Sequence, residues 1–444
     1  MERERGEILY QIYRALTYAT SPMIRLHLRW RRFRGLEHST RWPERLGRPS
    51  APRPPGPLVW FHAVSLGEGM AAIPVVKCCV TRRPDVSVLM TSTTMSAFEV
   101  VNSRLSPNVI YQFAPLDTPA AVKAFLGYWK PNVLVLLESE LWPNLIMDAA
   151  KNGITLALVN ARISVKSFRR WSLSAICPLA ALLLSKFSLI APLSNMQAIQ
   201  FQLLQAPPSI IGFSGDLKYA VDDSILSEGD DSLRELQELL SCRKVWMAAS
   251  LHKGEEKIML RAHEALKEVY PEILTIIVPR HPQHARQIAM TLQKKGITVA
   301  LRSRSDTLSL GTQIYVVDTL GELRKLYRLT PIAVIGGSFL PGLSGHNISE
   351  AAIVGCAILT GHFLGHFNHM VQELQRINPY SVLQVSESLL VEALTELFSD
   401  AKILESRREA AKQAFNGLSH GIIEKTWGLL QYHILDRSLS NEDA

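Results

Sequence analysis

Apolar residues along this chain come in short continuous runs, separated by longer stretches with helical spacing. Residues 58–62, 86–91, 133–137 and 154–160 read as strands buried on both faces, and 67–80, 95–104 and 141–152 as helices between them. After 160 the pattern pauses at 207–219. It resumes with strands at 245–249, 273–279 and 297–301 and helices at 252–269 and 283–295. Strands at 314–317, 332–335 and 357–360, with helices at 321–326 and 348–355, complete it. Such runs, alternating with helices, predict parallel sheets covered on both sides. Two successive runs predict two doubly wound α/β domains, with a ligand cleft at the carboxyl ends of the strands. Residues 389–435 are predicted mostly helical. The expected boundaries are 1–47, 48–212, 213–400 and 401–444, within the two or three domains that 444 residues allow.

The first segment differs from the rest. Ile8, Leu9, Ile12, Leu16, Met23, Ile24 and Leu28 make one side apolar, but Arg14 and Arg25 interrupt it. That is too polar for a transmembrane helix, and no cleavable signal is evident. Residues 1–53 hold twelve arginines, no lysine and five glutamates, which accounts for +7 of the net +8. The remainder is near neutral, which argues against a broad nucleic-acid surface. The run Arg29–Arg34 interleaves arginine with Trp30 and Phe33. It favours an interfacial helix on an anionic membrane surface over an amphipathic helix packed only on its own protein. The proline-rich stretch 48–57 reads as a linker. Five cysteines without a CxxC predict reduced thiols rather than a disulfide framework or zinc ribbon.

Four segments could carry chemistry. In 60–69 a strand ends at His62 and a glycine-containing turn opens a helix at Glu68. A carboxylate there can take a proton from a substrate hydroxyl or simply complement the helix dipole. In 136–144, Glu138 and Glu140 follow an apolar strand, and period-two spacing predicts them on one face, repelling unless a cation intervenes. In 278–283, Arg280 and His281 sit on a proline-stiffened loop suited to phosphate. In 335–350 a strand, a glycine-rich loop and a helix predict an anion site of backbone N–H groups, with Glu350 placed for ribose hydroxyls. The loop is neither GxxxxGK[ST] nor GxGxxG after a first strand. Three histidines in 361–369 have no carboxylate or cysteine at ligand spacing, so no metal is expected there.

Together, HAVSLGE (62–68), ESELWPN (138–144), VNARIS (159–164), GDLK (215–218) and ASLHKGEE (249–256) form an ordered series. PRHP (279–282), GEL (321–323), GGS (336–338) and GHNISEAA (345–352) continue it. In this order they resemble the Kdo transferases, which move 3-deoxy-manno-octulosonic acid from CMP-Kdo to a lipid A precursor at the cytoplasmic side of the bacterial inner membrane. The resemblance covers nearly the whole chain, ERLG at 44–47 included, and implies the GT-B architecture, two Rossmann-like domains facing a cleft. It implies Glu68 as general base, and Glu140 or its neighbour Glu138, with Lys218, as groups that steady the transition state. It implies Arg280, His281, Gly321, Glu322, Leu323, Asn347, Ile348, Ser349 and Glu350 as CMP contacts, an inverting reaction and no metal cofactor. Ile348 and Ser349 replace a Pro-Leu common in the family. Leu251 and Lys253 stand where a polar and an acidic residue are usual. A GT-B enzyme using another nucleotide sugar, such as a UDP-sugar, and an inactive CMP-binding module are the alternatives.

Overall fold

The computed structural model describes residues 2–139, 141–220, 236–238, 240, 243–304, 308–309, 311–319 and 321–439. The chain divides into two compact units, 1–222 with 421–444, and 223–420.

The first unit is built on six parallel strands, β1 (Leu58–His62), β2 (Ser87–Ser92), β3 (Val109–Phe113), β4 (Val133–Leu137), β5 (Thr155–Ala161) and β6 (Leu189–Pro192). Their order is β3-β2-β1-β4-β5-β6. β1 and β4 are buried at every position, as their unbroken apolar runs require. β3 and β6 fall outside the predicted set. Gln112 and the half-buried Ile110 break the apolar reading of β3, and β6 follows too closely on the apolar helix Cys177–Leu184 for periodicity to separate them. The core closes on Trp60, Phe125 and Trp129, with Trp60 and Phe125 rings 4.4 Å apart. Each such side chain contributes about 1.5–3 kcal/mol by leaving water.

Two helices, α1 (Glu2–Ala19) and α2 (Ser21–Phe33), precede this sheet. α1 is docked on its own unit through polar contacts. Arg14 pairs with Asp148 at 2.7 Å, Tyr13 Oη donates to Asp117 at 3.0 Å, and Asn144 donates to Thr17 Oγ1 at 3.0 Å. Gly6 lies so close to Pro178 that a Cβ would sit 2.5 Å from its carbonyl oxygen. The other side of α1 and α2 stays in water, with Ile8, Ile12, Leu16, Met23, Leu26, Trp30 and Phe33 exposed, Phe33 at 89%. Among the described residues no helix is long and apolar enough to cross a membrane.

The second unit carries β7 (Val245–Leu251), β8 (Leu274–Pro279), β9 (Val299–Leu301), β10 (Ile314–Val316), β11 (Ile332–Ile335), β12 (Ala357–Thr360) and β13 (Val382–Gln384). All are parallel, in the order β13-β12-β11-β7-β8-β10-β9. In both sheets the strand order reverses beside the first strand of the unit, at β1/β4 and β7/β11, where doubly wound folds open a crevice for ligands.

The segment 401–444 is not one tail. Helix Ala401–Ser419 buries Ala410, Ala411, Ala414 and Phe415 in the second unit, whereas helix Ile422–Leu430 belongs to the first. There Trp427, Leu430, Ile434 and Leu435 are buried, Arg82 pairs with Glu424, and Ser438 donates to Thr155 at 2.6 Å.

Candidate active site

In the first unit the carboxyl ends of β1, β4 and β5 meet. Beyond β1, Ser65 caps the helix Leu66–Arg82, and Glu68 closes a capping box. The Glu68 N–H donates to Ser65 Oγ at 3.3 Å, while its carboxylate accepts from Val64 N–H at 2.7 Å and Ser65 Oγ at 2.9 Å. Burial lifts the Glu68 carboxyl above its ordinary value. The Val64 and Ser65 donors oppose the rise, and the charge of Glu138 adds to it.

Glu138 follows β4 in a left-handed conformation, φ 59°. The strand ends at Leu137, so the continued strand that the period-two reading of Glu138 and Glu140 assumed does not extend to Glu138. Its buried side chain meets two cations, Lys218 Nζ at 2.9 Å from Oε1 and Arg162 Nε at 3.3 Å from Oε2. The Lys218 contact is an ion pair without hydrogen-bond geometry, since Oε1 has no such partner. Glu140 lies outside the described residues. Two further strained or buried groups hold the Lys218 segment in place. Asn160, φ 54°, is the extra residue where β5 shifts register against β6, and its Oδ1 accepts the Leu217 N–H at 2.9 Å. Asp216 accepts the Lys218 N–H at 2.9 Å, and burial raises its carboxyl. Arg162, Asn160 and Asp216 lay in the VNARIS and GDLK motifs without an assigned role. Their signal was position just after an apolar strand or beside a lysine. His62 is a satisfied core residue: Nδ1 lies 2.9 Å from Thr91 Oγ1, and burial, with Arg45 nearby, holds its pKa down at about 3.

In the second unit the glycine-rich loop after β11 differs from expectation. Three of its N–H groups, at Gly337, Ser338 and Phe339, are already occupied by an internal anion. The fully buried Glu255 carboxylate accepts from Gly337 at 2.7 Å, Ser338 at 3.0 Å, Phe339 at 3.0 Å and His252 at 2.9 Å. Glu255 opens the helix Glu255–Val269, so the loop is tied to the end of β7 rather than left open for a ligand phosphate. Gly336 packs on that strand end so tightly that a Cβ would lie 2.9 Å from the Ser250 carbonyl oxygen. Leu251, where the family resemblance expects a polar residue, is buried against the same glycine.

On this frame stand the loops after β7, β8, β10 and β11. His252 and His346 stack in parallel with their Nε2 atoms 2.9 Å apart, and His252 meets His281 edge-on at 6.1 Å. The histidines thus gather three strand ends. Sequence reading singled out only His281 of these three. Arg280 and His281 are exposed at the end of β8. Burial, with the charges of Arg280, His252 and His284, holds His281 below its ordinary value. Gly321, φ 85°, precedes Glu322 and Leu323 beyond β10. Burial works to raise the Glu322 carboxyl, but Arg302 at 2.8 Å and Thr319 outweigh it and hold it low. Asn347 is exposed and its Oδ1 accepts the Ser349 N–H at 2.9 Å. Ile348 and Ser349, expected among the CMP contacts, are buried as whole residues, whereas Glu350 is half-buried. Among the described residues no three His, Cys, Asp or Glu side chains gather as a metal ion would need.

Residues 40–221 match the family described as 3-Deoxy-D-manno-octulosonic-acid transferase (kdotransferase). The chain is 58% identical to the "Probable 3-deoxy-D-manno-octulosonic acid transferase, mitochondrial" of Arabidopsis thaliana, over 97% of each chain. It is 30% identical to the 3-deoxy-D-manno-octulosonic acid transferase of Haemophilus influenzae, over 87% of this chain and 89% of that one. Among solved structures, UDP-GlcNAc 2-epimerase from Neisseria meningitidis aligns at TM-score 0.59 and 13% identity, covering 85% of this chain and 100% of the other. That likeness concerns the fold, two parallel-sheet α/β units of the GT-B type.

Proposed function

The chain belongs to the 3-deoxy-D-manno-octulosonic acid transferase family, and on that premise we propose that it transfers Kdo from CMP-Kdo to a phosphorylated, acylated lipid A precursor with inversion at the anomeric carbon. The observation that carries the reading is Glu68, a half-buried carboxylate with a raised proton affinity at the carboxyl end of β1, electrostatically coupled to the Glu138 ion pair.

Its chemistry follows from balance of charge. Glu68 takes the proton of the acceptor hydroxyl as the oxygen attacks the anomeric carbon. The bond from that carbon to the CMP phosphate breaks, and CMP leaves with the electron pair. Positive charge develops on the sugar as in glycoside cleavage. The Glu138–Lys218–Arg162 group, its Lys218 segment held by Asp216 and Asn160, supplies fixed charges for that state. Glu140 is assigned a share of this task by the family motif alone. In the second unit Arg280 offers a cation, and His281 a hydrogen-bond donor, to the leaving phosphate. Gly321, Glu322 and Leu323 and the ends of the Asn347–Glu350 segment, the exposed Asn347 amide and the half-buried Glu350, offer polar groups to the nucleotide. With cations supplied by side chains, the reaction needs no metal.

The exposed apolar side of α1 and α2, with its arginines, supports attachment to an anionic membrane surface, where the acylated acceptor resides. Two settings fit that surface, a bacterial inner membrane, as the motifs led us to expect, and a mitochondrial one, as the name of the Arabidopsis relative states. The test is CMP release from CMP-Kdo in EDTA. Release that requires a lipid A precursor and is inhibited by CMP but not by UDP is expected. Release from a UDP-sugar instead would assign the enzyme to another donor.

A further inference from the structure

A small pocket, with a cavity volume of about 50 Å³, opens in the first unit beside the Glu68 loop. His62 and Thr93 line it, and the Thr93 N–H donates to the carbonyl of Val64, the residue whose own N–H binds Glu68. Arg45, Asp117, Leu116 and Trp142 form other walls. Arg45 is 7% exposed. Its Nη1 donates to the Ala114 carbonyl at 2.7 Å, and its Nε is buried with no hydrogen-bond partner.

The acids around this guanidinium are committed elsewhere. Glu37 pairs with Arg31 at 2.7 Å. Glu44 accepts from Arg41 at 2.6 Å, from Ser50, and from the Phe113 N–H at 2.6 Å. Asp117 accepts from Leu145 N–H at 2.8 Å, Asn144 N–H at 3.2 Å and Tyr13 Oη at 3.0 Å. A buried cation whose neighbouring acids are engaged by other groups is a demanding arrangement, because burial outweighs the help that the Glu37 charge gives Arg45. Opening such a group onto a pocket converts the deficit into affinity for an anion, and a guanidinium favours the forked oxygens of phosphate.

We propose that the Arg45 pocket is a subsite for a phosphate group of the acceptor. This rests on the transferase reading above and adds to it the point at which a substrate whose hydroxyl reaches Glu68 is anchored. Arg45 also supports the 114–116 loop, since its carbonyl accepts the Leu116 N–H at 2.8 Å, so the test must separate anchoring from structure.

The experiment compares KM for a phosphorylated lipid acceptor and for the same lipid after dephosphorylation. In the wild type, removing the phosphate should raise KM about tenfold to a hundredfold. Arg45→Gln should show that rise with the phosphorylated lipid and no further penalty on dephosphorylation. Two losses that multiply would overturn the proposal. Should Arg45→Gln not fold, Leu116→Glu keeps Arg45 and places a carboxylate on the pocket wall. Loss of the phosphate dependence is then expected, and its full retention would overturn the proposal. A wild type that uses neither lipid would refute the transferase reading, and the pocket is then judged with inorganic phosphate and saturating CMP. A rise in melting temperature present in wild type and absent in Leu116→Glu supports the subsite; an equal rise in both rejects it.

Discussion

In the proposed reaction Glu68 does two things with one carboxylate: it caps its own helix and accepts a proton. The capping donors from Val64 and Ser65 fix the side chain, while burial keeps its proton affinity up. Glu68 must be ionised to act as base, so activity falls as pH drops through its raised pKa. The acid limb of kcat/KM should therefore lie above the ordinary glutamate value of about 4.3, and a limb at or below that value would contradict the assignment. Lys218 tests the neighbouring charges. Lys218→Met leaves Glu138 buried with Arg162 alone and should destabilise the first unit by about 3 kcal/mol in urea unfolding. A change within 0.5 kcal/mol, about the level of an ordinary surface substitution, would mean that Glu138 does not depend on the pair. The place of Glu68 in the first turn of a helix was legible, because a strand ending at His62 and a glycine-containing turn leave a local pattern; the Ser65 cap that holds it was not read. Glu138 was legible as a residue but not in its geometry. A positive φ on a glutamate is set by what surrounds it, here two cations drawn from positions 162 and 218.

At the scale of elements, sequence pattern worked where a strand was apolar throughout and failed where polarity intruded. β1, β4, β11 and β12 lie where their apolar runs end. β3 contains Gln112 and β13 only three residues, too little for a period to register. The glycine-rich loop shows a different limit. Its glycines were visible, yet the ligand of its N–H groups is Glu255, more than eighty residues earlier in the chain. The α1 and α2 pair has one side docked through Tyr10, Arg14 and Thr17 and the other exposed, and the proposed membrane attachment rests on the exposed side. Ile12→Glu with Leu16→Glu should thus weaken binding to anionic vesicles about tenfold or more in a sedimentation assay, since each side chain carries about 1.5–3 kcal/mol of transfer energy. Folding stability should stay within 0.5 kcal/mol of wild type, as both residues are exposed. Unchanged vesicle binding would remove this face from the attachment.

For the whole molecule, the return of the chain after Gly421 to the first unit was illegible, because nothing in a helical tail says which sheet it will cover. Trp427, Leu430, Ile434 and Leu435 together contribute about 6–12 kcal/mol by burial, comparable to the full stability of a domain. A chain ending at 420 should accordingly lose the cooperative unfolding of the first unit, while an unaltered urea transition would show the returning segment to be dispensable. Glu68 as base is the assignment on which the proposed transfer turns, and one measurement tests it most directly. CMP release from CMP-Kdo is followed with a lipid A precursor in wild type and in Glu68→Gln, with the lipid tracked by mass. Gln preserves an acceptor and a donor at the cap but cannot take the proton. Acceptor-dependent release that falls about 10²- to 10⁴-fold in the variant, with CMP binding intact and lipid mass rising in Kdo steps in wild type, is the predicted result. Equal release by both proteins would contradict the assignment of Glu68, and no release from a folded, CMP-binding wild type would contradict the transferase itself.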